Sequence, residues 1–348
     1  MKKFLSFMLA GVMMFSLAGC GGEKEAAPEE NNEAVETEGE EKELEDFDIV
    51  LDWYPNAVHS FMYVAMEKGY YADEGLKVNI QFPANPNDGL SMPAAGKADA
   101  GIYYQSNTIS TAANNGVPIK VIGSIVQHPL NVVMSLGEKN ITSPADLAGK
   151  VVGYPGTADN EFIMKGMMES VGLKYEDVTM QDVGFDLNTA LVTENVDAII
   201  GGYINHEYPT LINKGYDINY FEFKDAGVPD FEELILVTGE KQIEEEPEKL
   251  AAFIRASKRG FEDVKADPQA ALEILLANQD EANYPLDPVI EQASMDILLP
   301  LMYDEEQDFL EIDKSIWDTS IEWLAGQGLL ENEITTDDLI VELENTDI

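Results

Sequence analysis

The run Asp52-Trp53-Tyr54-Pro55-Asn56-Ala57-Val58-His59-Ser60 is the richest stretch of chemistry-bearing side chains in the sequence. Trp53 and Tyr54 offer flat π faces, and Asn56 and His59 offer hydrogen bonds. Three later segments repeat this composition: Tyr103-Tyr104-Gln105-Ser106-Asn107, Tyr154-Pro155-Gly156-Thr157-Ala158-Asp159-Asn160 and Gly201-Gly202-Tyr203-Ile204-Asn205-His206-Glu207. Aromatic rings with Asn and Glu, and no Arg or Lys, suit a flat, neutral or basic heteroaromatic ligand. A carboxylate, sulfonate or phosphate would want a guanidinium fork, and these segments hold none. Gly156, Thr157 and Asp159 fit a helix start whose free N–H groups can grip a polar ligand atom. The candidate binding residues are therefore Trp53, Asn56, His59, Tyr103, Tyr104, Tyr154, Gly156, Asn160, Tyr203 and Glu207.

Other chemistries find no support. The three histidines, His59, His128 and His206, fall on separate segments with no shared helical spacing, so no metal site is expected. There is no Gly-x-Ser-x-Gly elbow and no phosphate-cradling Gly-x-x-x-x-Gly-Lys-Ser/Thr loop. No catalytic residue and no cofactor is expected, and any energy must come from a partner.

The candidate segments sit where strands give way to helices. Short β-type runs are predicted at 48–51, 77–82, 98–103, 119–126 and 132–136. They alternate with helical patterns at 60–74, 88–96 and 105–114. The alternation restarts with strands at 151–154, 178–182, 198–201, 218–223 and 234–238, and helices at 159–171, 186–193 and 205–214. A helical tail follows. This pattern predicts an α/β protein of two parallel-type sheets, a two-lobed clamp whose ligands bind at the carboxyl ends of strands. Crossings are expected at 137–150 and 225–232, giving lobe 1 as 47–136 plus 233–348 and lobe 2 as 137–232.

Charge narrows the partners. Asp and Glu number 66 against 21 Lys and Arg, for a net charge of −45, which excludes a nucleic-acid binder. Residues 23–46 hold 12 of the acids and two lysines and lack aromatics, so a disordered, self-repelling tether is expected over 20–46. Ahead of it, Lys2 and Lys3 precede an apolar stretch from Phe4 to Ala18, too short to span a bilayer comfortably. It runs into Leu17-Ala18-Gly19-Cys20, similar to the lipobox of bacterial lipoproteins. Residues 1–19 are accordingly expected to be a signal peptide and Cys20 a lipidated anchor on the extracytoplasmic face of the membrane. A single cysteine excludes a disulfide framework.

Asp52–His59 is followed by Phe61-Met62-Tyr63-Val64-Ala65 and by Lys68-Gly69-Tyr70-Tyr71-Ala72-Asp73-Glu74-Gly75-Leu76. With Lys97-Ala98-Asp99-Ala100-Gly101, Pro118-Ile119-Lys120-Val121-Ile122 and Ser143-Pro144-Ala145-Asp146-Leu147-Ala148-Gly149-Lys150-Val151-Val152-Gly153, this resembles the NMT1/THI5-like family over about residues 48–275. The resemblance implies a periplasmic-binding-protein type II fold and a monomeric substrate-binding lipoprotein of an ABC importer, with a permease and its ATPase as partners. Trp-Tyr-Pro-Asn…His and Gly-Gly-Tyr…Asn-His-Glu look most like members that bind a thiamine pyrimidine precursor such as formylaminopyrimidine. Carried over, Trp53 and one of Tyr103, Tyr104 or Tyr154 would stack on the ring, and Glu207 would accept from its amino groups. Asn56, His59 and Asn160 would add hydrogen bonds. The cysteine-rich motif of the pyrimidine-making enzymes in the family is absent. Sulfonate and nitrate binders share the fold but fit these loops poorly; the alternatives are a binder of riboflavin or another heteroaromatic solute on the same fold, or a pyrimidine-modifying enzyme.

Overall fold

The computed structural model describes residues 44–283 and 285–348. The expected leader, Cys20 and nearly all of the tether lie outside the described residues. In chain order the strands are β1 (Glu45–Val50), β2 (Leu76–Gln81), β3 (Ala100–Tyr103), β4 (Ile119–Val126) and β5 (Asn131–Leu136). They continue as β6 (Val151–Tyr154), β7 (Thr179–Asp182), β8 (Ala198–Tyr203), β9 (Ile218–Glu222) and β10 (Leu234–Gly239). Strand β1 opens two residues inside the stretch assigned to the tether. There Glu45 and Asp46 pair with Leu76 and Lys77, and the Lys77 ammonium holds the Asp46 carboxylate at 2.9 Å.

Two five-stranded sheets result, ordered β2-β1-β3-β10-β4 and β7-β6-β8-β5-β9. Both are mixed rather than parallel. β1 runs parallel to β2 and β3, while β10 is antiparallel to β3 and β4. In the second sheet β6 runs parallel to β7 and β8, while β5 is antiparallel to β8 and β9. The antiparallel strand of each sheet is the one that arrives from the other lobe. This moves one expected boundary: β5 belongs to the second sheet, so the first crossing is the short segment 127–130, ahead of the 137–150 run. The second crossing falls at 227–233, close to the expected position.

The central strands are mostly apolar, and every residue of β10 (Leu234–Gly239), Thr238 included, is buried. The helix expected over 60–74 breaks at Gly69, whose φ of +76° leaves the helical region, into Ser60–Glu67 and Tyr70–Asp73. The largest core cluster lies about the first sheet, with Phe47, Phe61, Phe253, Phe261 and Trp317 fully buried. Its outer layer is the helical tail, led by Pro247–Ala266. Two smaller clusters flank the second sheet, one around Met164, Met167 and Met168 and the other around Met134, Leu191 and Leu211. Among the described residues no helix is long and apolar enough to cross a membrane.

Candidate functional site

The carboxyl ends of β1, β3 and β8 converge with the first crossing and the start of β10 on one cavity. Lobe 1 contributes Asp52, Trp53, Asn56, Val58, Tyr104 and Leu234. The crossing contributes Leu130, and lobe 2 contributes Gly201, Tyr203, Asn205, His206 and Glu207. No Lys or Arg lines it. Of the ten residues singled out in the sequence, Trp53, Asn56, Tyr104, Tyr203 and Glu207 meet here.

The other five do not line the cavity, and each has a structural task. His59 is fully buried. Its Nδ1 accepts from the Asn56 backbone N–H at 3.1 Å, so Nε2 carries the proton donated to Asp52 Oδ1 at 3.0 Å. That pair staples the turn after β1, and the Ala57 N–H donates to Glu291 at 2.7 Å from behind. Tyr103 points away, donating to Asn87 and accepting from Asn107, both at 2.7 Å. Tyr154 donates to Glu161. Gly156 adopts φ +82°, and a Cβ there would sit 2.8–3.0 Å from the Asp182 carboxylate. Asn160 donates to Thr157 Oγ1 at 2.8 Å and accepts from Asn131 at 3.0 Å, while Asn131 accepts from the Gly201 N–H at 2.8 Å. This chain ties the start of the helix after β6 to the start of β5 and to β8.

Among the cavity residues, Asn56 is largely committed: its side chain caps the short Ala57–His59 helix through Val58 N–H and donates to the Tyr54 carbonyl. Glu207 opens the helix Glu207–Asn213, where negative charge suits the dipole. One of its oxygens accepts from the Tyr203 N–H and the other faces His206 Nδ1, each at 2.8 Å. Burial opposes protonation of His206, but the Glu207 carboxylate, with Glu291 behind it, outweighs burial and raises the imidazole to about 9. The pair is therefore an imidazolium facing a carboxylate at neutral pH. Burial, reinforced by Asp52 and Asp159, holds the Tyr104 phenol well above its ordinary value, so it remains a neutral hydrogen-bonding group.

Three buried polar residues at or beside the cavity were not among the ten binding candidates. Asn205 spends one end of its amide on Ser294 at 2.8 Å, and the other end, buried, finds no protein partner. Asp159 is buried with one carboxylate oxygen unpartnered, and burial raises it to about 6. Glu233 is raised to about 7 by burial although it accepts from the Leu130 and Asn131 N–H groups at 2.8 and 2.9 Å and from the Tyr203 hydroxyl at 3.2 Å. Its signal in the sequence was there: Glu232-Glu233 stands directly before the apolar Leu234–Val237 run with no basic neighbour. The histidines are each paired with one carboxylate on different elements, His128 with Asp230 and His206 with Glu207. Among the described residues no group of three or more His, Cys, Asp or Glu is placed to hold a metal ion.

Two α/β lobes joined by paired crossings, with a cavity between them, define the periplasmic-binding-protein type II fold. Among solved structures, the alkanesulfonate-binding protein SsuA from Xanthomonas axonopodis pv. citri bound to MOPS matches with a TM-score of 0.65 over 85% of this chain and 98% of that one. At 12% identity the likeness is one of fold alone. The family model described as NMT1/THI5 like matches residues 56–271. The chain is 45% identical over 302 residues to the formylaminopyrimidine-binding protein of Halalkalibacterium halodurans, covering 87% of this chain and 91% of that one. It is also 27% identical over 274 residues to the 4-amino-5-hydroxymethyl-2-methylpyrimidine phosphate synthase of Uromyces fabae, covering 76% and 80%. The chain belongs to the NMT1/THI5-like family.

Proposed function

We propose that this protein is the substrate-binding component of an ABC-type importer, capturing an aminopyrimidine precursor of thiamine, of the formylaminopyrimidine type, and delivering it to a membrane permease. One observation carries the ligand class: the cavity joins the rings of Trp53, Tyr104 and Tyr203 to the carboxylates of Asp52 and Glu207, with no Lys or Arg on its wall and the His206 imidazolium paired to Glu207. Stacking on an aromatic face contributes about 1–3 kcal/mol per base in nucleic-acid complexes, a guide to what Trp53 and a facing tyrosine supply here. Glu207, already polarised by His206, accepts from the exocyclic amino group, and the free end of the Asn205 amide takes a second polar ligand atom. An anionic ligand would instead bring its charge against two carboxylates. The 45% identity to a formylaminopyrimidine-binding protein supports the same class.

The protein binds this ligand without transforming it. The one histidine beside the aromatic run, His59, has both ring nitrogens engaged within the protein and does not line the cavity. Cys20, preceded by Leu17-Ala18-Gly19, carries the lipid that holds the receptor on the extracytoplasmic membrane face, and the acidic stretch that follows sets its reach. The test is mass spectrometry of ligand released from gently purified protein, followed by calorimetry with formylaminopyrimidine. Recovery of the intact pyrimidine and saturable one-to-one binding are expected. Release of a flavin, or conversion of the pyrimidine during incubation, would overturn the proposal.

A further inference from the structure

We propose that Phe185 is the second lobe's half of an aromatic clasp that draws the cleft shut and fixes the ring of Trp53. Phe185 lies between β7 and the helix Leu187–Val192, on a turn held by the Gly184 N–H donating to Asp182 at 2.9 Å. Its ring meets three rings of the first lobe. The centroid is 4.5 Å from Trp53 at an interplanar angle of 66°, 5.3 Å from Tyr54 at 43° and 6.1 Å from Phe82 at 37°. Tyr54 and Phe82 are themselves stacked at 5.1 Å and 12°, so the first lobe presents a preassembled aromatic face. Trp53 also packs against the second lobe's cluster around Met134 and Leu191, which makes it a ring shared by the two lobes.

Phe185 does not line the cavity, whereas Trp53 does. Phe185 is therefore a positioning residue, acting on the ligand through the edge-to-face contact that sets the Trp53 plane. Both sides of the contact are protein, so its contribution to closure does not depend on what the cavity holds. A receptor whose closed form is already favoured loses less of its intrinsic affinity to the open population and releases ligand more slowly.

The role in affinity rests on the binding function proposed above; the role in closure does not. The experiment therefore has a ligand-free arm. Small-angle scattering of the ligand-free protein is compared for wild type, Phe185→Ala and Phe185→Tyr, the last retaining the ring. Phe185→Ala should have a larger radius of gyration, Phe185→Tyr should match wild type, and saturating formylaminopyrimidine should return the alanine variant to wild-type dimensions. In stopped-flow measurements with formylaminopyrimidine, dissociation from Phe185→Ala should be about tenfold faster and association changed by roughly twofold at most, as expected for lost ring contacts. Equal radii in the ligand-free state would overturn the clasp, as would equal dissociation rates. If formylaminopyrimidine fails to bind wild type, the ligand class falls while the ligand-free scattering still decides closure.

Discussion

Glu207 and His59 show how residues of similar promise part company once their neighbours are known. Glu207 stands on the cavity wall with two contacts of 2.8 Å and oxygen lone pairs left to accept from a ligand, whereas His59 has one partner for each ring nitrogen. Replacing Glu207 by Gln keeps the shape but removes the charge. Formylaminopyrimidine affinity measured by calorimetry should fall roughly 10–100-fold, the range for a lost charge-assisted hydrogen bond. Tyr103→Phe should do the opposite. It removes a hydroxyl held by Asn87 and Asn107, so urea unfolding should show a loss of about 1–3 kcal/mol while affinity stays within about twofold. The adjacent pair Tyr103-Tyr104 was legible as aromatic, but alternation at the strand end decides which ring faces the cleft. A pair read from sequence gives no phase for that alternation.

At the scale of elements, the two crossings are tied to one another. Glu233 accepts from Leu130 on the first crossing and from Asn131 at the start of β5, its own N–H donates to Val126, and His128 pairs with Asp230 across the same strip. Turn geometry around the site is equally constrained. Gly156→Ala would force a side chain into φ +82° and against Asp182, so it should cost about 1–3 kcal/mol of stability, read as a lowered denaturation midpoint. Strand positions were readable because apolar runs flanked by turn residues define them. Which sheet β5 joins was not readable, because a strand buried on both faces carries the same pattern in either sheet. The crossing was accordingly expected after β5 and lies before it.

For the molecule as a whole, the buried acids and His206 bias stability toward low pH. Burial raises Asp159 from 3.8 to about 6 and both Glu232 and Glu233 from 4.5 to about 7, while Glu207 outweighs burial to raise His206 from 6.5 to about 9. In each case the folded form binds the proton more tightly than the unfolded chain. Stability gained from protonation is fully present below the unfolded value and is lost as pH rises through the folded one. Calorimetric melting temperatures should therefore decline between about pH 4 and about pH 9. Glu233→Gln should flatten the part of that decline below about pH 7; a melting temperature that rises across the window would refute the assignment. The net charge of −45 adds self-repulsion, so added salt should raise the melting temperature at pH 8.

The sequence by itself determined the alternation of strands and helices, the acidity, the family resemblance and the kind of ligand its aromatic and acid-bearing loops suit. All of these follow from residue types and short-range periodicity. Only the tertiary structure decided that Trp53, Tyr104, Tyr203 and Glu207 share one cavity while His59, Tyr103 and Asn160 brace it. It alone brought Phe185 to Trp53, more than a hundred residues away in the chain. Contacts between lobes depend on how two sheets are set against each other through their crossings, and no local pattern encodes that placement.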